Sequence, residues 1–464
     1  MNPMRIIAAA LATLAAVASA QTPLLSDDLE WGDTGEWAST HPTRCDDLPA
    51  FDRGLEPTRI LHVDDGGNDT TGDGSSGSPF ASIGRAAQEA TPGTAIRVHA
   101  GTYPGGAYLA DLRGTSIAPI WIGGAPGEAR PVIDGGGEGL HLVRPAWVVV
   151  HDLEVRNATS NGINCDDGSD YANPLAAHHV AFRRLDIHDI GGTGNQDCLK
   201  LSGLNDFQVM LSTFARCGGG LSGSGVDHVG CHRGLLARNT FTEMSGNAIQ
   251  AKGGSADLEI RWNRFTDAGQ RSLNLGGSTG FQYFRPPLST SEPNAEARNI
   301  RAISNLIEGS VAPIAYVGCV GCVVAHNTIL DPDNWIIRIL QETVSDGTYT
   351  FEACRDGVFA NNLVSFNRSA LSTYVNIGPN TAPETFTFTT NLWYAWDNPS
   401  LSQPTLPVTE TGGISGLDPL LDADRRIGPS SPAAGAGTPT PWTTGDLDGV
   451  CYGAPPSLGA FEAR

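Results

Sequence analysis

Apolar and polar residues alternate along this chain in short bursts, set apart by Gly, Asn and Asp. Ile60-Leu61-His62-Val63 reads as a strand and 64–74 as a loop. Ser78-Pro79 then opens a helix with Phe80, Ile83, Ala86, Ala87 and Ala90 on its apolar face. Pro92-Gly93 ends it, and Ile96-Arg97-Val98-His99 begins the next strand. Beyond it, alternation with period two predicts one short strand after another.

The segments fall into two recurrent classes. The first reads Asn161-Gly-Ile-Asn-Cys-Asp166, Asp197-Cys-Leu-Lys-Leu-Ser202, Ser224-Gly-Val-Asp-His-Val229, Asn247-Ala-Ile-Gln-Ala-Lys252 and Arg271-Ser-Leu-Asn-Leu-Gly276. Later copies end at Val317, Leu340 and Gly378. The second class sets Asn two residues before an apolar residue, at Asn239, Asn263, Asn305, Asn327, Asn362 and Asn391. Clean neighbours lie about 22 to 27 residues apart, the length of one solenoid coil. One such coil has too little apolar surface to fold alone, whereas stacked coils share a continuous core. The prediction is all-β: a right-handed parallel β-helix with a short N-terminal capping helix. A β-propeller is disfavoured because its blades need longer, antiparallel units. The recurrent Asn residues are expected to stack in a turn and link successive coils.

This register predicts which residues reach the surface. The third and fifth positions of the first class point inward, and the fourth and sixth point out. The fourth-position column reads Asn164, Lys200, Asp227, Gln250, Asn274, Ala315, Arg338 and Asn376. The sixth reads Asp166, Ser202, Val229, Lys252, Gly276 and Val317. Lys200 and Lys252 are the only two lysines, against 27 arginines, and both fall on this face. Unlike a guanidinium, an ammonium can lose its proton and act as a base. Rungs stack about 4.8 Å apart, so Lys200 and Asp227 become neighbours and an ion pair. Lys252, flanked in its own column by Val229 and Gly276, has no carboxylate beside it there and is the candidate base. Arg271 and Arg338 are candidate carboxylate binders. Asn164, Asn247, Gln250 and Asn274 are candidate hydrogen-bonding subsites. His228 points inward as a core residue, and His232, just past its strand, is placed in a turn within reach of the surface. Asp64, Asp65, Asn68, Asp69 and Asp73 form a loop that either binds Ca2+ or makes its own Asx turns.

Composition narrows the setting. Arg5, an apolar run from Ile6 to about Val17 and Ala18-Ser19-Ala20 read as a signal peptide. The expected organisation is signal peptide 1–20, irregular segment 21–57, β-helix 58–430, and final coil and tail 431–464. A secreted or periplasmic monomer without a membrane span is expected. The net charge of −21 disfavours nucleic acid as partner. It also means that an acidic polysaccharide would need a local basic groove. Nine cysteines leave at least one unpaired. Cys319-Val-Gly-Cys322 has no second half with zinc spacing, so a structural or disulfide role is preferred.

Residues 63–80 and 92–103 resemble the amino-terminal cap of secreted right-handed parallel β-helix proteins, a group of polysaccharide lyases, epimerases and hydrolases. Ser431-Pro432-Ala433 through Leu458-Gly-Ala-Phe-Glu462 resembles their last coils. Asn247 to Lys252-Gly-Gly, Asn263-Arg-Phe265 and Arg271 to Gly276-Gly resemble the active strands of the chondroitinase-B and alginate-lyase family. The resemblance implies Lys252 as base, assisted by an arginine on the next rung. Gly276 holds that arginine's position, and Arg271 lies at the other end of the strand. Asn247 and Gln250 stand where the family's calcium-binding glutamates are expected. The sequence thus favours a lyase that cleaves a uronate-containing glycan by β-elimination. Two alternatives are a glycoside hydrolase using Asp166, Asp197 or Asp227, and a glycan-binding β-helix without catalysis.

Overall fold

The computed structural model describes residues 45–464, apart from 193, 220–221 and 443–444. The expected signal peptide and positions 21–44 lie outside the described residues. The recurrent segments become strands of a right-handed parallel β-helix. Its three sheets contain 14, 10 and 12 strands, and the pairing between successive rungs is parallel. The ten-stranded sheet holds all eight first-class segments, from Ile163–Asp166 to Val375–Ile377. It also extends two rungs further, through Leu140–Val143 to Ala107–Ala110.

Inward positions form one continuous core. Phe214, Phe241 and Phe265 stack from coil to coil with ring centroids 4.9 Å apart. Tyr316 and His228 point inward as expected and are fully buried. Tyr316 donates to the Val358 carbonyl, and His228 is neutral, with burial pushing its pKa down to about 4.

The second-class asparagines form the expected ladder. Asn263 Oδ1 accepts from the backbone N–H of Asn239 at 2.9 Å, and Asn305 does the same for Asn263. The pattern continues through Asn327 and Asn362 to Asn391, whose own N–H is taken by Glu410. Each ladder Asn follows a residue with positive φ: Arg238, Trp262, Ser304, His326, Asn361 and Thr390. A left-handed residue turns the chain sharply, and the buried amide satisfies backbone groups exposed by the corner.

The helix is Ile83–Gln88, starting later than the Ser78-Pro79 signal suggested. Phe80 is bridged to Val63, and Asp69 takes the N–H groups of Ala81 and Ser82, which leaves Ser82 as N-cap. Both ends of the described residues lie against the outside of the solenoid. Phe51 packs on Ala95, Trp121, Val149 and Ala181. Leu447, Leu458, Ala460 and Phe461 join Met210, Leu235, Trp262 and Leu306 in a second apolar cluster. Disulfides join Cys45 to Cys451 and Cys198 to Cys217, as an oxidising compartment permits. Cys165, Cys231, Cys319, Cys322 and Cys354 are unpaired and buried. No helix among the described residues is long and apolar enough to cross a membrane.

Candidate active site

The outward column of the ten-stranded sheet has the predicted register. Asn164 pairs with Lys200, Lys200 with Asp227, Asp227 with Gln250, and Gln250 with Asn274. Ala315, Arg338 and Asn376 complete it. Along this face run two adjoining cavities of about 490 and 590 Å³. Lys252, Asn195 and Ser278 line both, so Lys252 stands where they meet.

Four charged groups form the centre. Lys200 and Asp227 make the expected ion pair, and Lys200 also lies 3.4 Å from Asp197. Lys252 has Val229 beside it in its own column, as expected, but it is not unpaired: its Nζ is 3.5 Å from Asp227 Oδ2, the oxygen that also serves Lys200. Asp227 lies one rung back in the neighbouring column, a diagonal contact that counting within columns misses. Both aspartates are buried, with side chains 1% exposed, whereas Lys252 is 12% and Lys200 18% exposed. Burial raises the carboxyl pKa of Asp197 to about 6, and Asp227 adds to the effect. Burial acts the same way on Asp227, but the two ammoniums outweigh it and hold its pKa at about 2.

The strand after Lys252 makes room for it. Ala251 pairs with Gly276, because the register shifts by one residue after Gln250. At Gly277 a Cβ would lie 2.5 Å from Gln250 Nε2 and 3.3 Å from Lys252 Cβ and Cδ. On the other side, buried Glu296 accepts from the N–H of Gly253 at 2.7 Å, from Thr279 N and Oγ1 at 2.8 Å, and from the Thr343 hydroxyl. One carboxylate thus ties the turn after Lys252 to two flanking loops.

The candidate carboxylate binders share the second cavity. Arg271 donates to Asn274 Oδ1 at 3.0 Å and to Glu342 at 2.7 Å. Arg338 donates to Asn376 at 3.0 Å, and its guanidinium lies 4.4 Å from the Trp335 ring centre. Burial, and then the charge of Arg271, disfavours the charged form of Arg338. An anion between the two guanidiniums would relieve that repulsion. Asn247 and Gln250 also line this cavity, bonded to each other at 3.0 Å, while Asn164 lines the first. His232 is taken away from the groove: it begins a strand of the 14-stranded sheet and donates to the Gly254 carbonyl.

Sequence reasoning missed Tyr171, Tyr283, Arg285 and Ser278, which line the first cavity. The last three lie between the strands Arg271–Gly276 and Ala297–Arg298, an insertion marked in sequence only by an over-long gap between repeats. Arg285 pairs with buried Asp167 at 2.6 Å and lies 4.2 Å from the Tyr171 ring centre.

Neither calcium reading fits the donors. Ca2+ takes six to eight oxygens, with carboxylates prominent among them. Near Lys252 the carboxylates of Asp197 and Asp227 are buried against ammoniums, and Asn247 and Gln250 offer amides where the resemblance places glutamates. In the acidic loop, Asp64, Asn68 and Asp73 accept from backbone N–H groups two or three residues ahead. Asp69 is spent on Ala81 and Ser82. These residues and Asp65 are absent from the one group of ligand atoms that converges within 4.8 Å among the described residues, namely Glu154, Asp186 and His188. There, Arg156 and Arg130 already face the two carboxylates at 2.9 and 3.7 Å.

A pectate lyase, Pel9A, superposes on 89% of this chain and 98% of its own, with a TM-score of 0.54 and 18% identity. The two share a fold. Looser likenesses include an alginate lyase from Paenibacillus (TM-score 0.44, 16% identity, 70% of this chain and 97% of that one). Another is a lacto-N-biosidase from Eubacterium ramulus (TM-score 0.45, 14% identity, 72% and 67%). No protein-family model and no curated protein matches the sequence.

Proposed function

We propose that the protein is an exported polysaccharide lyase that cleaves a uronate-containing glycan by β-elimination, with Lys252 as the base. The observation that carries this reading is the convergence of the only two lysines on one buried carboxylate, where two cavities of an open groove meet. Asp227 Oδ2 holds the Lys252 amino group in place, and Lys200 in turn holds Asp227. In its neutral form, Lys252 takes the proton α to the uronate carboxyl group. The electron pair forms the C4=C5 double bond as the oxygen at C4 departs with the rest of the glycan. Charge that develops on the carboxyl group is met by Arg271 and Arg338. Gln250, Asn274 and Asn247 supply hydrogen bonds to the ring.

Burial also weighs against hydrolysis by Asp197 and Asp227. Paired catalytic carboxylates must reach both faces of a glycosidic bond, and these lie beneath the lysines. Asp166 is occupied by His141 at 2.6 Å. The test is a panel of acidic glycans, read by the ultraviolet absorbance of unsaturated uronate. Wild-type protein is expected to give that product, and Lys252→Arg to give none while remaining folded. New reducing ends without the chromophore would establish a hydrolase. Binding without turnover would establish a glycan-binding protein.

A further inference from the structure

The outward column continues beyond the two cavities, and its charge changes sign. On the column, Asn164 is followed by His141 and then Tyr108, one rung at a time. His141 lies between two carboxylates: Nδ1 is 3.0 Å from Glu138 and Nε2 is 2.6 Å from Asp166. Even with an imidazolium at the centre, this trio carries net negative charge. The Tyr108 ring stands edge-on to His141, 5.2 Å between centroids, and is 62% exposed. It is the outward aromatic of its strand, on the glycan-facing side of the sheet. From Lys200 to Tyr108 is three rungs, roughly 14 Å. At the other end, beyond Lys252, Arg271 and Arg338 face the second cavity with Glu342 as their one carboxylate.

We infer that the groove is a polar track for a mixed glycan: a carboxylate-bearing sugar sits over Lys252, Arg271 and Arg338, and an uncharged sugar occupies a distal subsite made by Tyr108, His141 and Asn164. This rests on the proposed glycan-binding groove and specifies its substrate class. A homopolymer of uronates would set further carboxylates against Glu138 and Asp166, where like charges repel. An uncharged ring instead lays its apolar face on Tyr108 and hydrogen-bonds to Asn164 and the two carboxylates. The subsite thus selects by charge as well as by shape.

Binding, not turnover, tests this, using the full chain and calorimetry. The probes are an alternating glucuronate–N-acetylglucosamine hexasaccharide and hexagalacturonate, titrated into Lys252→Arg protein so that neither is cleaved. The alternating probe is expected to bind more tightly. Tyr108→Ala should weaken it by about tenfold while leaving hexagalacturonate unchanged. Glu138→Gln should tighten hexagalacturonate. A preference for hexagalacturonate, equal loss of both probes on Tyr108→Ala, or binding of neither overturns the inference. If discrimination holds but wild-type protein turns over no glycan, the subsite stands and the lyase reading fails.

Discussion

Replacing Asp227 by Asn removes the anion that two ammoniums share, and its cost follows from the geometry. The Asp227 carboxyl group, ordinarily at 3.8, is held at about 2, because Lys200 and Lys252 outweigh its burial. A carboxyl group that ionises more readily in the folded state than in the unfolded one adds to stability at neutral pH. Breaking a buried pair by deleting one partner costs about 3–5 kcal/mol, which sets the loss expected for Asp227→Asn. Because the folded-state value lies below the unfolded one, the contribution is complete above pH 4 and lost as pH falls towards 2. About half of it should be gone at pH 3. Urea unfolding of wild-type and Asp227→Asn protein at pH 7 and pH 3 measures both quantities. Adding Lys200→Met to Asp227→Asn should cost ~2 kcal/mol less than the sum of the single changes. A pH-independent loss, or additivity of the two substitutions, would refute the shared-anion geometry.

Three other outcomes are expected. Asp197, raised to about 6, binds its proton more tightly in the folded state, so its stabilising contribution is complete below pH 4 and lost as pH rises through 6. The stability difference between wild-type and Asp197→Asn protein, followed by urea melts from pH 4 to 7, should show that slope. Asn305→Ala leaves the Asn263 N–H and the Ile260 carbonyl unpaired inside the turn, and should lower stability by about 2–4 kcal/mol with the groove intact, as read by denaturation and glycan binding. Gly277→Ala drives a methyl group into Gln250 and Lys252, and calorimetry should show weakened glycan binding with about 1–2 kcal/mol lost in stability.

The coil architecture and the outward column were legible because strand side chains have period two and the fourth position stays in register over eight segments. His141 was also within reach, 23 residues before Asn164, one coil length. The corners were not. Their left-handed residues include Arg238, Trp262 and Thr390, and nothing in those side chains announces positive φ. Nor could the column arithmetic find the contact between Lys252 and Asp227, which crosses from one column to the next. The loop that brings Tyr283 and Arg285 to the groove carries no repeat at all. Its position depends on Asp167 and Glu296, contacts distant in sequence.

The bond between Cys45 and Cys451 joins residues 406 apart. Every strand of the solenoid lies between them in the chain. Tension applied at the two ends of the protein would therefore pass across a single sulfur–sulfur bond and bypass the coils, leaving the groove unloaded. With that bond reduced, the same pull would enter the solenoid itself and peel it from its ends, coil by coil. The disulfide is in this sense a mechanical shunt, and it shields the spacing of the groove's rungs from forces on an anchored or entangled chain.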